Sequence, residues 1–277
     1  AIQYLLSRQD TKGMFRGKKP SRHPVYDHAI ATYAVSEAYG MTRVPALKTA
    51  MEGGMKNIIN GQQPGGGWDY HYKKGDRRDT SVSGWHVQAM KAAHLSGAEN
   101  PGIKEAMKRS IADFKSVFNP SSGRFAYSTG SSGSEGMTGV GVLSMQFLGQ
   151  GNSPEVRGGL KFLDSIKGEW KKDAPKNPMY AWYYITQAKF HKGGKTWSAW
   201  NKKFSKELVA AQHEDGHWGA PDGTDGESGE GPVYTTTLGA LMLQVYYRNL
   251  PTFKEDAAKE EEFAPEAGSD DVVIEIL

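Results

Sequence analysis

Apolar residues recur at helical spacing along most of the chain, in segments of two alternating kinds. Segments of the first kind carry one apolar stripe bordered by charged residues. In residues 101–118 this stripe consists of Ile103, Met107, Ile111, Phe114 and Phe118. Segments of the second kind, such as residues 79–95, have no strongly charged face. The first pattern predicts helices that face water on one side, and the second predicts helices surrounded by protein.

Five segments of each kind alternate along the chain. The amphipathic helices are predicted near residues 1–8, 44–60, 101–118, 153–167 and 195–212, and the buried ones near 26–40, 79–96, 134–149, 178–192 and 232–248. This alternation predicts an all-α domain over residues 1–250, an α/α toroid with an outer and an inner ring of helices. The first helix reads as the last turns of a longer one, so we expect an N-terminally truncated domain of a larger multidomain protein.

A short motif recurs at the ends of the amphipathic segments: a glutamine, a polar gap, a glycine and an aromatic residue. It reads Gln9 to Phe15, Gln63 to Trp68 and Gln212 to Trp218, with a weaker copy from Asn119 to Phe125. The aromatic residues are 53, 57 and 93 positions apart, the last spacing being close to two shorter ones. Such self-similarity indicates one supersecondary unit repeated around the chain.

The motif resembles the QW-type repeats of squalene-hopene cyclases, oxidosqualene cyclases and protein prenyltransferases, a superfamily of α/α toroids. The resemblance spans nearly all of residues 1–250, and residues 180–187 and 193–197 are similar to segments of bacterial cyclase-like proteins with unassigned roles. It implies the fold more firmly than an activity. The activity it implies is the processing of isoprenoid (terpenoid) substrates in the central space of the toroid.

The catalytic sets of that superfamily are incomplete in this chain. Squalene-hopene cyclases protonate an alkene with the middle acid of an Asp-x-Asp-Asp-Thr motif, and the closest match is residues 76–80, where Arg78 takes the place of the donor. A guanidinium stays protonated near neutral pH and does not serve as that acid. The chain has no cysteine, so the zinc site of protein prenyltransferases is incomplete and thioester chemistry is excluded. We expect no cofactor and no metal.

Aromatic residues of the buried helices are the candidates for a ligand pocket, because they offer π-faces to a cation or a flat apolar ligand. Four of them fall within residues 180–184, and one helix cannot turn all four inward. Core packing is the alternative for each of them. The candidate ligand-binding residues are Trp85, Tyr180, Trp182, Tyr183, Tyr184, Tyr234 and Arg78.

Polar residues near the starts of the inner helices are the candidates for catalysis, because a toroid brings these starts to one rim. Asp79 is the first choice, followed by Glu135 and His28. Helix capping is the alternative for the two acids, and a satisfied core histidine is the alternative for His28. An acid beside two arginines suits binding or electrostatic work better than proton donation. Asp27, Asp76 and His86 fall on the same rim.

Three functions follow from these residues. The leading hypothesis is a domain that is non-catalytic for the known reactions of the superfamily and binds an apolar, isoprenoid-like ligand or a protein partner. The first alternative is an isoprenoid-processing, cyclase-like enzyme that uses Asp79 or Glu135 as acid or base. The second is a carbohydrate-active lyase or hydrolase on the same fold, with paired acids across the rim.

Charge is distributed unevenly along the 277 residues. Residues 252–277 carry nine acidic and two basic side chains, so with +3 for the whole chain the rest sums to +10. The acidic segment is predicted to be a disordered linker, with a final helix or a docking tail as alternatives. The scattered basic stretches do not form the stripe typical of nucleic-acid binding, and the acidic loop 215–230 fits no calcium motif. No apolar run is long enough to span a bilayer, and the composition fits a cytoplasmic or a periplasmic location.

Overall fold

The computed structural model of the chain describes residues 1–19, 21–75, 77–170, 177–221, 231–247 and 249–254. Within these residues the protein is the all-α toroid that the sequence predicts. The outer helices are α1 (Ile2–Ser7), α3 (Pro45–Gly61), α5 (Ile103–Ser116), α7 (Pro154–Leu163) and α9 (Gly194–Ala210). The inner helices are α2 (Pro24–Thr42), α4 (Thr80–Ser96), α6 (Glu135–Phe147), α8 (Pro178–Lys192) and α10 (Pro232–Gln244). A two-stranded antiparallel sheet, β1 (Phe118–Asn119) and β2 (Arg124–Phe125), follows α5.

The inner helices pack side by side in chain order, with α2 against α4, α4 against α6, α6 against α8 and α8 against α10. Each of α3, α5 and α7 packs on the inner helices before and after it, as the alternation of patterns predicts. Burial differs around the ring, since 15 of the 17 residues of α4 are buried but only 4 of the 13 residues of α10 are. Among the described residues, no helix is both long and apolar enough to cross a membrane.

The repeated motif forms a tight turn held by its glutamine. The side-chain Nε2 of Gln9 donates to the carbonyl oxygen of Gly13 at 3.0 Å, and that of Gln212 donates to Gly216 at 2.7 Å. In the second copy this bond comes from Gln62, at 2.7 Å from the oxygen of Gly66. The register predicted from Gln63 is therefore one residue too late, because the turn requires six positions between the glutamine and the aromatic residue.

Glycine is required at position 66, in the second copy of the turn, for two reasons. Gly66 has a φ of +96°, which L side chains rarely adopt, and a Cβ there would lie 2.1 Å from the carbonyl oxygen of Arg109 on α5. The turn thus approaches the backbone of the next outer helix closely. The glutamines reinforce this contact, because Gln9 Nε2 also donates to the Ala50 oxygen at 2.7 Å and Gln62 Nε2 to the Ala106 oxygen at 2.8 Å.

Each turn is also tied to the inner helix that follows it. The backbone N–H of the aromatic residue donates to a side chain of that helix: Trp68 to Ser83 Oγ at 2.9 Å, and Phe125 to Thr138 Oγ1 at 3.1 Å. The same bond joins Phe15 to His28 and Trp218 to Thr236. Because each turn fixes the start of the next inner helix, the residues that follow the aromatic position are held at one rim of the ring.

The opposite end of the ring, which we call the base, is covered by the chain after α10. Residues Pro251–Phe253 form one 3-10 turn that packs on α2 and α4. Thr252 and Phe253 in this turn are fully buried. The predicted tail helix, linker or docking segment falls almost entirely on residues 255–277, outside the described residues, and the division into a toroid and a tail stays a prediction.

Candidate functional site

Asp79 is the N-cap of α4. Helix capping is the alternative to catalysis that the sequence predicts for this residue. Its Oδ1 accepts the backbone N–H of Val82 at 3.0 Å and the hydroxyl of Ser81 at 2.6 Å. The side chain is 1% exposed, and its Oδ2 accepts no hydrogen bond from the described residues. A buried oxygen without a donor is uncommon in proteins, so Oδ2 is the atom of this cap whose hydrogen-bonding capacity the described residues leave unused.

Two phenols lie beside Asp79, and the sequence analysis did not identify them. The hydroxyls of Tyr70 and Tyr127 are hydrogen-bonded to each other. Burial, followed by interactions with Asp79 and Tyr70, raises the pKa of Tyr127. Each phenol occurs two positions after a repeat aromatic residue, Trp68 or Phe125. That position in the repeat is the sequence signal that points to them.

Tyr26 of α2 and Tyr180 of α8 complete the surroundings of Asp79. Burial raises the pKa of Tyr26 to about 12, and its interactions with Tyr180, Ser81 and Asp79 place all of these groups together. Tyr234 of α10 interacts electrostatically with Tyr180 from the next inner helix. We call Asp79, Tyr26, Tyr70, Tyr127 and Tyr180 the rim cluster.

Beneath the rim cluster, aromatic side chains meet across the middle of the ring. Trp85 of α4 stacks on Tyr183 of α8, with ring centroids 5.6 Å apart, and is edge-on to Tyr184 at 5.9 Å. Tyr33 of α2 lies 6.1 Å from Trp85. The Tyr183 hydroxyl donates to Gln88 Oε1 at 3.0 Å. Because α4 and α8 are separated in the ring by α6, these contacts fill the centre at this depth, and we call the four aromatic residues the aromatic floor.

The structure does not bring all predicted ligand-binding residues to this place. Trp182 is edge-on to Trp170, which follows α7, with centroids 5.6 Å apart. Arg78 is buried and its Nε donates to Asp113 Oδ1 of α5 at 2.9 Å. Its guanidinium also donates to Thr80 and to the carbonyl oxygen of Tyr127. Arg78 therefore braces the rim against the outer ring.

The other predicted catalytic residues lie in different surroundings. Glu135 is the first residue of α6 and half-buried, and burial raises its pKa while Arg124 opposes that shift. His28 accepts the Phe15 N–H at 3.0 Å, and its other ring nitrogen lies 3.1 Å from the Gly54 oxygen. Burial lowers the pKa of His28 to about 4. Both ring nitrogens contact backbone groups, which favours a structural role for His28 over a catalytic one.

Further rim candidates are distributed similarly. Asp27 is exposed in the first turn of α2, and Asp76 lies outside the described residues. His86 stacks on Trp68 with ring centroids 4.8 Å apart, and its nitrogens contact the Val82 oxygen and the Tyr72 hydroxyl. No group of three or more His, Asp or Glu side chains is placed to hold a metal ion within the part of the chain that the structure describes.

A further buried acid, which the sequence analysis did not single out and which has no ion-pair partner like that of Asp113 among the described residues, lies at the base. Glu37 of α2 is 3% exposed, and its Oε1 accepts the Thr252 N–H at 3.3 Å and the Thr252 hydroxyl. The Tyr33 hydroxyl lies 3.0 Å from Thr252 Oγ1. Burial raises the pKa of Glu37 to about 7. The aromatic floor thus separates two buried carboxyl groups, one at each end of the ring.

Solved structures with the same fold come from proteins with two different activities. The type II terpene cyclase MstE from Scytonema aligns with a TM-score of 0.62 at 14% identity, over 93% of this chain and 75% of that one. A variant of the same enzyme, in complex with its product merosterolic acid A, aligns with a TM-score of 0.61 at 15% identity, over the same shares of the two chains.

The other activity belongs to a glycoside-cleaving enzyme. An inactive variant of an alpha-1,6-mannanase from Salegentibacter sp. HEL1_6, in complex with alpha-1,6-mannotriose, aligns with a TM-score of 0.56 at 12% identity, over 83% of this chain and 76% of that one. No protein-family model matches the chain, and no curated protein matches it in sequence. At these identities the likeness establishes the α/α-toroid fold and not an activity.

Proposed function

We propose that the rim cluster binds a small, largely apolar, isoprenoid-like ligand whose polar or cationic head contacts Asp79. The observation that carries this proposal is the buried Oδ2 of Asp79, which accepts no hydrogen bond from the described residues although the phenols of Tyr70 and Tyr127 lie beside it. A buried acceptor is costly unless it is paired. A donor or a cation on a bound ligand supplies the missing partner.

The aromatic rings around Asp79 favour a ligand that combines apolar surface with a positive or donor head. Aromatic faces attract cations, and the attraction grows when the site is removed from water. Tyr26 and Tyr180 come from two inner helices, and Tyr70 and Tyr127 come from two rim loops. The cluster therefore borders Asp79 from several sides of the ring.

The position of Arg78 supports this proposal, because its guanidinium is not part of the rim cluster. Its guanidinium forms the buried ion pair with Asp113, so it serves the α5 carboxylate instead of neutralising Asp79. The aromatic floor sets the other limit, because Trp85 and Tyr183 close the centre beneath the rim. The ligand enters from the rim and lies above these rings.

Native mass spectrometry with lipid extraction, on protein purified from its own host, tests directly for a bound guest. A matched pair of probes then tests the head group: dodecyltrimethylammonium and dodecanol share the alkyl chain and differ in charge. We expect quenching of tryptophan fluorescence by both probes and tighter binding of the cation. Asp79→Asn should weaken the cation by about tenfold and leave the alcohol within about twofold, since loss of one charged contact costs on the order of 1.5 kcal/mol.

Trp85 and Trp182 form a matched control pair, because both are buried tryptophans of inner helices and only Trp85 lies in the floor. Trp85→Phe should weaken both probes, whereas Trp182→Phe should not. Equal effects of the two substitutions, or equal loss of both probes in Asp79→Asn, would contradict binding at the rim cluster. A protein that carries no guest and captures a protein partner at this rim would favour the partner-binding form of the hypothesis.

A cyclase-like enzyme is the second candidate, and one observation favours it. Tyr127 is 39% exposed and is hydrogen-bonded to Tyr70 beside Asp79, which provides a path of hydroxyl groups between the carboxylate and solvent. Asp79 or Glu135 would act as the acid or base. Incubation with linear polyprenyl substrates and mass spectrometry of the products tests it. Turnover that Asp79→Asn and Tyr127→Phe both abolish would replace simple binding.

A carbohydrate-active enzyme is supported by the half-exposed aromatic surface of the rim. The His23 ring lies on Tyr70 with centroids 4.5 Å apart, and Tyr127 is exposed beside it. One solved neighbour cleaves an alpha-1,6-mannan. Release of reducing ends from alpha-1,6-mannotriose, lost in Asp79→Asn or Glu135→Gln, would establish this alternative.

A further inference from the structure

A cavity of about 210 Å³ opens on the outer side of the ring, where α7, α8 and α9 meet. Its lining includes Lys189 from α8 and Lys195, Thr196, Trp200 and Lys203 from α9. Asp164, which follows α7, is the acidic member of the lining. The cavity lies on the outer layer and is formed by residues other than those of the rim cluster.

The lining carries an excess of positive charge. Three lysines and one aspartate give it a formal charge of +2. Lys195 and Lys203 are exposed at its mouth. Lysines that line one half-open cavity repel each other, and a polyanion bound between them removes that repulsion.

Lys189 distinguishes this cavity from a patch of exposed charge, because its side chain is buried. The residue is 3% exposed, its Nζ lies 2.8 Å from Asp164 Oδ1, and the ammonium sits 5.3 Å from the centre of the Trp200 ring. Buried lysines are rare unless they are paired. Asp164 itself is 55% exposed, so the only anionic partner of this buried ammonium in the lining sits at the entrance.

Neutral donors point to an oxyanion as well. Thr196, whose side chain carries a hydroxyl donor, belongs to the lining. Thr196 and Lys195 lie in the first turn of α9, a helix of 17 residues. The first backbone N–H groups of a helix have no acceptors within it. The partial positive charge of that helix start adds to the lysines and favours a negative group.

We infer that this cavity is a binding site for a small polyanion, a phosphate or diphosphate group, held by Lys189, Lys195, Lys203 and Thr196. The volume is below the roughly 300–1,000 Å³ of pockets for drug-sized ligands, which suits a compact anion. A dianion balances the charge of the lining. The site is independent of the ligand proposed for the rim cluster.

Isothermal titration of the full chain with inorganic phosphate and with diphosphate, in low-chloride buffer, tests the site. We expect saturable binding of one anion per chain. The double variant Lys195→Ala with Lys203→Ala should weaken it by about tenfold or more, since each lysine supplies a charge-assisted contact. Lys202→Ala with Lys206→Ala is the matched control. It removes the same charge from exposed positions of the same helix that are not in the lining, and binding should stay within about twofold.

The variant Asp164→Asn tests the direction in which phosphate affinity changes. Removing the one carboxylate of the lining should strengthen phosphate binding severalfold. Because the variant also removes the partner of the buried Lys189, urea denaturation checks that the protein titrated is folded. Absence of saturable binding, equal weakening by both lysine pairs, or weaker binding by Asp164→Asn would each overturn the inference. Co-sedimentation with vesicles containing phosphatidic acid separates a lipid source of the phosphate group. Vesicle binding without affinity for inorganic phosphate would also overturn the site, because it would show a membrane surface effect.

Discussion

The rim and the base of the ring each bury one carboxyl group, and the two are held in opposite ways. Asp79 at the rim is the N-cap of α4 and accepts a backbone N–H and a hydroxyl on one oxygen. Glu37 at the base lies near the end of α2, and its contacts come from Thr252 of the 3-10 turn. On each acid, the second oxygen accepts no hydrogen bond from the described residues.

The difference follows from the polarity of the helices. A helix start presents N–H groups and partial positive charge, which stabilise a carboxylate, whereas a helix end presents carbonyl oxygens. At the base, burial outweighs the opposing hydrogen bonds from Thr252 and raises the pKa of Glu37 to about 7. The rim acid thus caps a helix start, and the base acid lies in the body of a helix, where burial favours its protonated form.

The largest expected effect concerns the brace of the rim. Arg78→Met should destabilise the fold by about 3–5 kcal/mol, because the Asp113 carboxylate stays buried and loses the guanidinium that pairs with it. Arg77→Met is the control, since Arg77 is exposed and its ion pair with Asp69 is long, at 3.3 Å, and it should cost less than about 1 kcal/mol. Urea denaturation measures both. A stable Arg78→Met protein that no longer binds the rim probes would instead make Arg78 a ligand contact.

The next effect is a pH dependence that belongs to the base. The pKa of Glu37 is raised from 4.5 to about 7 in the folded protein, so the folded state binds more protons than the unfolded state between these values. The contribution of Glu37 to stability is therefore full below about pH 4.5 and is lost as the pH rises through 7. The loss amounts to about 3 kcal/mol. Unfolding free energies from pH 5 to 8 should show it in the native protein and not in Glu37→Gln.

The difference between these two proteins isolates Glu37 from the buried histidines. Burial lowers the pKa of His28, His86 and His191, so their contribution rises with pH over the acidic part of the range. Glu105→Gln on the exposed face of α5 is the control and should retain the native pH profile. The same profile in Glu37→Gln would show that the base acid does not titrate as expected.

A smaller effect is expected for the turn that covers the base. Thr252→Val keeps the shape of the side chain and removes the hydroxyl that contacts Glu37 and Tyr33. The loss of a buried partner should cost about 2 kcal/mol, and more at pH 8 than at pH 5, since a charged Glu37 needs the donor most. Thr237→Val, at an exposed position of α10, should change stability by less than about 0.5 kcal/mol. Thermal unfolding at the two pH values measures both.

The smallest effect on stability is expected at the rim carboxylate itself. Asp79→Asn should cost less than about 1 kcal/mol, because asparagine caps helices about as well as aspartate. Chemical denaturation next to Asp79→Ala, which removes the cap, measures the difference. A cost for asparagine equal to that for alanine would show that the negative charge of Asp79 is needed by the fold and not reserved for a ligand.

The toroid was predictable because its two layers leave different patterns in the sequence. The direction of Trp182 also follows from periodicity, since at about 100° per residue it lies opposite Tyr180 on α8. Arg78 illustrates a local effect: Asp79 has extended backbone angles, where successive side chains point to opposite sides. The arginine therefore reaches the outer ring while the aspartate faces the rim cluster.

Other parts of the site left weak signals. Tyr70 and Tyr127 lie in loops without hydrophobic periodicity, and only their place after the repeat aromatic residues links them. In the sequence, Glu37 does not differ from other acids on helices, because its burial depends on the distant turn at Thr252. The shift from Gln63 to Gln62 was hidden because two glutamines are adjacent, and only the hydrogen bond to Gly66 distinguishes them.

The uneven burial around the ring has a consequence for the order in which backbone amides exchange with deuterated water. Because α4 is almost wholly enclosed and α10 has 4 buried residues of 13, local opening among these inner helices should cost less at α10 than at α4. Exchange should be fast in residues 232–244 and slowest in residues 80–96. The helix pairs would then unfold one after another, starting from the pair that contains α10, as stacked repeats do. The residues around Asp79 would still be folded at that stage.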